Sequence, residues 1–164
     1  MKNNNQETVY KNPIQKVRID FTTPTGYVRH LLLGFTPDNS ASDEFNYGYD
    51  APNVDDFPDD LNWIIDNQRY VTQGVGAFDE TKIYPLGLFL TNSGNIKIEL
   101  RSIENFTEPI NIYIYDALLN TYTLINNGDY DGFSEEARAQ DLLLDAAHPQ
   151  LLAAKDKSQL GRLK

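Results

Sequence analysis

The apolar residues of this chain fall in short alternating runs, and polar turn residues separate the runs. Lys16-Val-Arg-Ile-Asp-Phe-Thr22 alternates throughout, and the run from Gly26 to Phe35 does so into a more apolar end. Further runs span Leu61 to Ile65, Arg69 to Gln73, Tyr84 to Thr91, Asn95 to Leu100, Ile110 to Asp116 and Thr121 to Ile125. Period-two alternation over such lengths is the signature of half-buried strands. Short strands with polar turns at this spacing specify an antiparallel β-sandwich, jelly-roll-like, over residues 16–132. Pro24 and Gly26 mark a turn between the first two strands. Hairpins are expected across Asp66-Asn67-Gln68, across Asn92-Ser93-Gly94, and between Asp116 and Thr121. The Asn92–Gly94 joint is the strongest of these signals, because Asn and Gly accept positive φ cheaply. Leu32, Phe35, Trp63, Ile65, Leu88, Leu90, Ile98, Leu100, Ile112 and Ile114 are the expected core. Tyr113 and Tyr115 take the opposite strand face and are expected at solvent or a sheet edge.

Composition breaks near residue 132. Residues 1–132 carry 9 Lys/Arg and 19 Asp/Glu, so the whole net charge of −10 lies there. Residues 133–164 carry 5 of each. Every Tyr and Asn precedes the break, whereas Ala137, Ala139, Ala146, Ala147, Ala153 and Ala154 crowd the tail. Helix formers dominate there, so the composition predicts one helix from Ser134 to about Ala147, broken by Pro149. Ser134 followed by Glu135 and Glu136 suits a helix N-terminus. Residues 133–164 thus read as a helical appendage, a fusion or a shifted reading frame. Residues 1–15 read as a flexible N-terminal segment.

Between His30 and Gln68 there is no Lys or Arg, yet the stretch holds nine carboxylates. Such a loop is solvated, binds a cation or folds around its own aromatics. Calcium takes six to eight oxygens, which carboxylates and carbonyls on an irregular loop can supply. Asp50, Asp55, Asp56, Asp59 and Asp60 are the candidate metal ligands, with Asp38 and Asp43 next. Tyr47, Tyr49 and Trp63, with Phe45 and Phe57, are candidates for a sugar-stacking platform or for pins that hold the loop to the sheet. Asn127-Gly-Asp-Tyr-Asp-Gly132 imitates the start of an EF-hand loop, but the twelfth position is Arg138 where a glutamate is needed. His30 and His148 stand alone, without a patterned partner.

Several motifs occur in a recognisable order. They are Leu31-Leu-Leu-Gly-Phe-Thr-Pro-Asp38, Phe45-Asn-Tyr-Gly-Tyr-Asp-Ala51, Phe57-Pro-Asp-Asp-Leu61, Gly74-Val-Gly-Ala-Phe-Asp79, Tyr84-Pro-Leu-Gly-Leu88, Leu100-Arg-Ser-Ile-Glu-Asn-Phe106 and Ile112-Tyr-Ile-Tyr-Asp116. Together, over roughly residues 15–127, they resemble a β-sandwich region of large secreted proteins in flavobacteria and other Bacteroidetes. That region usually precedes the C-terminal sorting domain read by the type IX secretion system. The resemblance implies export to the cell surface or medium within a longer, multidomain precursor, and it implies no catalytic residues. After Asn127 the chain departs from that pattern.

The remaining totals narrow the partners. A chain of 164 residues is one domain able to bury a core without staples. The absence of cysteine removes thiolate chemistry and disulfides together. The acidic balance disfavours nucleic acid and anionic membranes as partners. No stretch reaches the roughly 20 apolar residues of a membrane helix. The expected role is a non-catalytic module whose partners are neighbouring domains. The alternative is a calcium-dependent carbohydrate- or protein-binding module for adhesion.

Overall fold

The computed structural model describes residues 13–134 and 138–147. It is mainly β, with strands β1 (Gln15–Thr22), β2 (Val28–Phe35), β3 (Ala51–Pro52), β4 (Asp60–Ile65), β5 (Gln68–Val75), β6 (Ile83–Leu90), β7 (Gly94–Glu104), β8 (Asn111–Asp116), β9 (Thr121–Leu124), β10 (Tyr130–Ser134) and β11 (Arg138–Ala147). They form one sheet in the order β10-β7-β1-β2-β5-β4-β6-β11-β8-β9, with β3 attached to β5. The β2–β5 pairing is parallel; the others are antiparallel. The sheet curls around one core and nearly closes on itself. Near its two ends, the Tyr130 hydroxyl on β10 donates to Asp116 Oδ2 on β8 at 2.6 Å.

Alternation places the core as strand geometry requires. Val17, Ile19 and Phe21 of β1 point inward, as do Leu61, Trp63 and Ile65 of β4 and Leu86, Leu88 and Leu90 of β6. β5 changes phase partway. Tyr70 lies opposite inward-facing Trp63, whereas Gln73 lies opposite inward-facing Leu33. The register of β3 slips at the intervening Val71. An extra residue of this kind bends a strand, which lets β5 serve neighbours of opposite phase.

The β1–β2 turn, the Asp66-Asn67 hairpin and the β8–β9 hairpin form as expected. Asp66 and Asn67 both take positive φ, 51° and 63°, which is the turn that suits the twist of a two-residue hairpin. The Asn92–Gly94 hairpin does not form. β6 pairs with β4 and β11, and β7 pairs with β1 and β10. The joint instead carries the chain across the fold, with Gly94 at φ 138° and a Cβ there only 3.0 Å from Pro24.

Three further expectations are corrected. Leu32 is half-buried, while its neighbours Leu31 and Leu33 are inside. A run of three leucines hides its own phase, and pairing with Val17 and Ile19 sets it. Leu100 likewise lies at the margin, packed against the core. Tyr113 and Tyr115 are buried, at 6 % and 3 % exposure. Tyr122 of β9 covers them, with ring centroids 6.2 and 4.8 Å away.

The expected helix from Ser134 to Ala147 is overturned. Residues 138–147 are strand β11, inserted between β6 and β8. Leu142, Leu144 and Ala146 repeat at period two and face the core. Helix propensity is a weak preference, and two open strand edges supply more hydrogen bonds and burial than a lone helix could. Residues 1–12, His148, Pro149 and the rest of the tail lie outside the described residues.

Candidate functional site

The acidic loop between β2 and β4 folds onto the sheet in two anchored pieces. In the first, Thr36 is tied to β5: its N–H and hydroxyl both donate to the Val75 carbonyl, at 3.0 and 2.7 Å. Asn39, at φ 58°, accepts at Oδ1 from Ala77 N–H at 2.8 Å. Asp50 closes this piece. One carboxylate oxygen accepts from Asn46 N–H at 2.6 Å and the other from Gly74 N–H at 2.7 Å. Tyr49 lies over Gly74 so closely that a Cβ at Gly74 would sit 2.8 Å from Tyr49 Cβ. Gly74 is thus required by the loop it carries rather than by a turn of its own.

The second piece is held by Asp60, fully buried on the outward face of β4. Arg29 grips it with two donors, Nε to Oδ1 at 2.8 Å and Nη2 to Oδ2 at 2.9 Å. Leu61 N–H and Asn53 Nδ2 add bonds of 2.9 and 3.3 Å, and Arg69 Nη2 approaches to 3.5 Å. Arg69 Nε also donates to Asn62 Oδ1 at 2.6 Å. Arg29 reaches Asp55 at 3.0 Å. Its contact with Asp60 drives the guanidinium further above its ordinary pKa, against the cost of burial. Two rings shield the cations: Phe57 lies 4.9 Å from the Arg29 guanidinium and Phe89 4.0 Å from that of Arg69. Tyr27 stacks on Phe57 at 5.7 Å.

Asp59 faces the other way and ties the loop to the β6–β7 crossing. It accepts from Thr91 N–H, Asn92 N–H and Asn92 Nδ2 at 2.8, 2.9 and 2.7 Å. Burial disfavours its charge, yet these three donors outweigh burial and hold its pKa below the ordinary value. A depressed folded-state pKa stabilises above the unfolded-state pKa and is lost as pH falls through the folded one. Asp59→Asn should therefore cost about 1–3 kcal/mol near neutrality. Its deficit against the wild type should shrink below about pH 4. Urea unfolding of both proteins in neutral and acid buffers reads this, and a deficit that ignores pH would contradict it.

The five candidate ligands do not converge. Asp50 binds backbone N–H groups on β5, Asp59 serves the crossing, Asp55 and Asp60 engage Arg29, and Asp56 is exposed. Asp38 bonds Ser40 N–H within its own turn, and Asp43 pairs with Lys82 at 2.7 Å. Among the described residues no three His, Asp or Glu side chains are grouped to hold a metal ion. Millimolar calcium is expected to leave the melting temperature unmoved, since only a ligand that prefers the native state raises it. A clear rise in differential scanning calorimetry would restore the calcium reading.

The candidate aromatics also separate. Trp63 is fully buried in the core and Tyr47 is 92 % exposed. Tyr49 lies half-buried over β5. Phe45 leans on Tyr70 at 5.8 Å, and Phe57 covers Arg29. Phe45, Tyr49 and Phe57 pin the loop to the sheet, and Tyr47 does not. The EF-hand-like segment runs into β10, where Asp131 lies opposite Lys97. His30 Nδ1 lies 2.6 Å from Asp20 Oδ1 on the neighbouring strand.

Sequence reasoning missed Arg29, Arg69, Asn53, Asn62 and Asn92. A signal for the two arginines was present. They are the nearest basic residues on either side of the charge-unbalanced stretch, and a buried carboxylate must find a cation nearby. The asparagines carry no such signal.

The chain belongs to the family described as a domain of unknown function (DUF8693), which matches residues 1–142. Neither the curated proteins nor the solved structures include a match to the chain.

Proposed function

We propose that the chain is a non-catalytic β-sandwich module of a multidomain protein exported to the cell surface or medium, where it acts as a spacer or presentation domain. One observation carries this reading. The acidic loop, the densest concentration of chemically capable side chains, directs its buried carboxylates at the module's own N–H groups and arginines. Such a loop rigidifies the module that carries it, which is what a spacer requires. In this reading the sheet folds over at β5 into two layers, β10-β7-β1-β2 and β4-β6-β11-β8-β9. What supports export by a type IX system is the resemblance of the ordered motifs between residues 31 and 116 to the region preceding a sorting domain.

The test is localisation of the tagged parent protein in a flavobacterial host. It should reach the surface or medium in normal cells and accumulate inside cells whose type IX system is inactivated. Cytoplasmic retention in both strains would overturn the export reading. Replacing residues 13–147 of the parent by an unrelated sandwich of similar size tests the spacer role. The neighbouring domains should keep their activity, and its loss would show that this module contributes more than spacing.

A further inference from the structure

The connection from β9 to β10 is anchored at both ends and open between them. Before it, Ile125 N–H donates to the Ile112 carbonyl at 2.9 Å. Asn126 is held on both sides of its amide: Oδ1 accepts from Ile112 N–H at 2.7 Å, and Nδ2 donates to the Ile110 carbonyl at 3.0 Å. After it, Tyr130 enters the ladder opposite Ile98. The chain bends through residues 126–128, and Asn127 and Gly128 are both exposed. Among the described residues, neither the Asn127 side chain nor the Gly128 N–H makes a hydrogen bond.

The pair is chemically distinct. No other asparagine of the chain is followed by glycine. An asparagine side-chain carbonyl lies within reach of the next residue's amide nitrogen, and a side chain on that next residue shields the nitrogen. Glycine has none, and its backbone turns easily toward the ring geometry. A Cβ built on Gly128 would meet nothing within 4 Å, so no neighbour crowds the site. The comparable pairs are occupied. Asn39 and Asn92, each followed by serine, bond Ala77 N–H and Asp59. Asp131–Gly132, the related acidic pair, is held extended in the ladder opposite Lys97 and Ile96.

We propose that Asn127–Gly128 is a site of spontaneous deamidation. The Gly128 amide nitrogen gives its proton to solvent base and attacks Asn127 Cγ. The new N–Cγ bond closes a succinimide ring, and Nδ2 departs as ammonia with a proton taken from water. Water then opens the ring. Cleavage of the new N–Cγ bond leaves aspartate. Cleavage of the original peptide bond to Gly128 leaves isoaspartate, in which the main chain runs through Cβ. In sum, amide plus water gives carboxylate plus ammonia. Each event adds a negative charge next to Asp129 and near Asp131, and isoaspartate adds a methylene to the main chain just ahead of β10. The EF-hand-like run is thus a reactive turn. This chemistry is independent of the export reading.

Peptide mapping by mass spectrometry of the whole folded chain, aged in mildly alkaline buffer, tests it. Fragmentation should place the first conversion at Asn127, ahead of the other asparagines, with both aspartate and isoaspartate among the products. Gly128→Ala should fold as the wild type does, since its Cβ has room and the backbone there is not left-handed. In that variant conversion at Asn127 should slow severalfold, because the new methyl group shields the attacking nitrogen. An Asn127 that stays intact while other asparagines convert would overturn the proposal. So would equal rates in the wild type and Gly128→Ala, or aspartate formed without isoaspartate, which would exclude the ring.

Discussion

A chain cut after Gly132 is expected to lose its cooperative fold. The cut removes β11, which pairs with β6 from Arg138 to Asp145 and with β8 from Leu142 to Ala147. Two interior strands would become edges, and Leu142, Leu144 and Ala146 would leave the core they fill. The hairpin of β8 and β9 would then have no strand to hold it to the rest of the sheet. Each lost ladder bond leaves a donor or acceptor to find water, and the core facing the gap becomes wet. The truncated product should be insoluble, or soluble without a thermal transition. Since the cut removes more than β11, Leu144→Ala supplies a variant expected to stay folded. Its cost should be about 2–5 kcal/mol, as for other leucines truncated in a close-packed interior. A truncated chain that melts at the wild-type temperature would overturn the placement of β11.

The strands were legible where period two was clean. Val17, Ile19 and Phe21 alternate with polar residues, and so do Ile96 and Ile98; these reach the core. The Asp66-Asn67 hairpin was legible because its backbone needs positive φ at both positions. What failed was long-range pairing. The residues at Asn92–Gly94 describe a sharp reversal and contain nothing about which strands flank it, so a crossing and a hairpin look alike locally. β11 was misread for a related reason. Alanine and leucine favour a helix in isolation, whereas the slot between β6 and β8 is built by residues far away in the chain. At the site, the abundance of carboxylates was legible but their direction was not. Asp60 opens β4 while Asp59 lies in the bend just before it, and nothing in their sequence says that the two carboxylates diverge. One meets Asn92 and the other Arg29, and this divergence removes the convergent oxygens that a cation would need.

The largest single-residue effect outside the hydrophobic core is expected at Asp60. Its side chain has no exposure, and Arg29 beside it retains only 12 %. Removing one partner of a buried pair leaves the other charged and poorly solvated, which typically costs about 3–5 kcal/mol. Asp60→Asn keeps the shape but leaves the Arg29 guanidinium without its two-pronged acceptor. Arg29→Ala strands the carboxylate with Leu61 N–H, Asn53 and the more distant Arg69. Both variants should therefore be destabilised by similar amounts, and the double variant by clearly less than their sum. The exposed pair of Lys82 and Asp43 is as short, at 2.7 Å, but both side chains are nearly half exposed. Asp43→Asn should cost less than about 1 kcal/mol, because solvent already screens that pair. Residues 54–58 between Asn53 and Asp59 should also become sensitive to protease in Asp60→Asn, since Phe57 rests on the guanidinium that loses its anchor. Denaturant unfolding of the four variants, with limited proteolysis, measures all of this. Equal small losses at Asp60 and Asp43 would mean that the outward face of β4 is wet and that the loop is held by its rings alone.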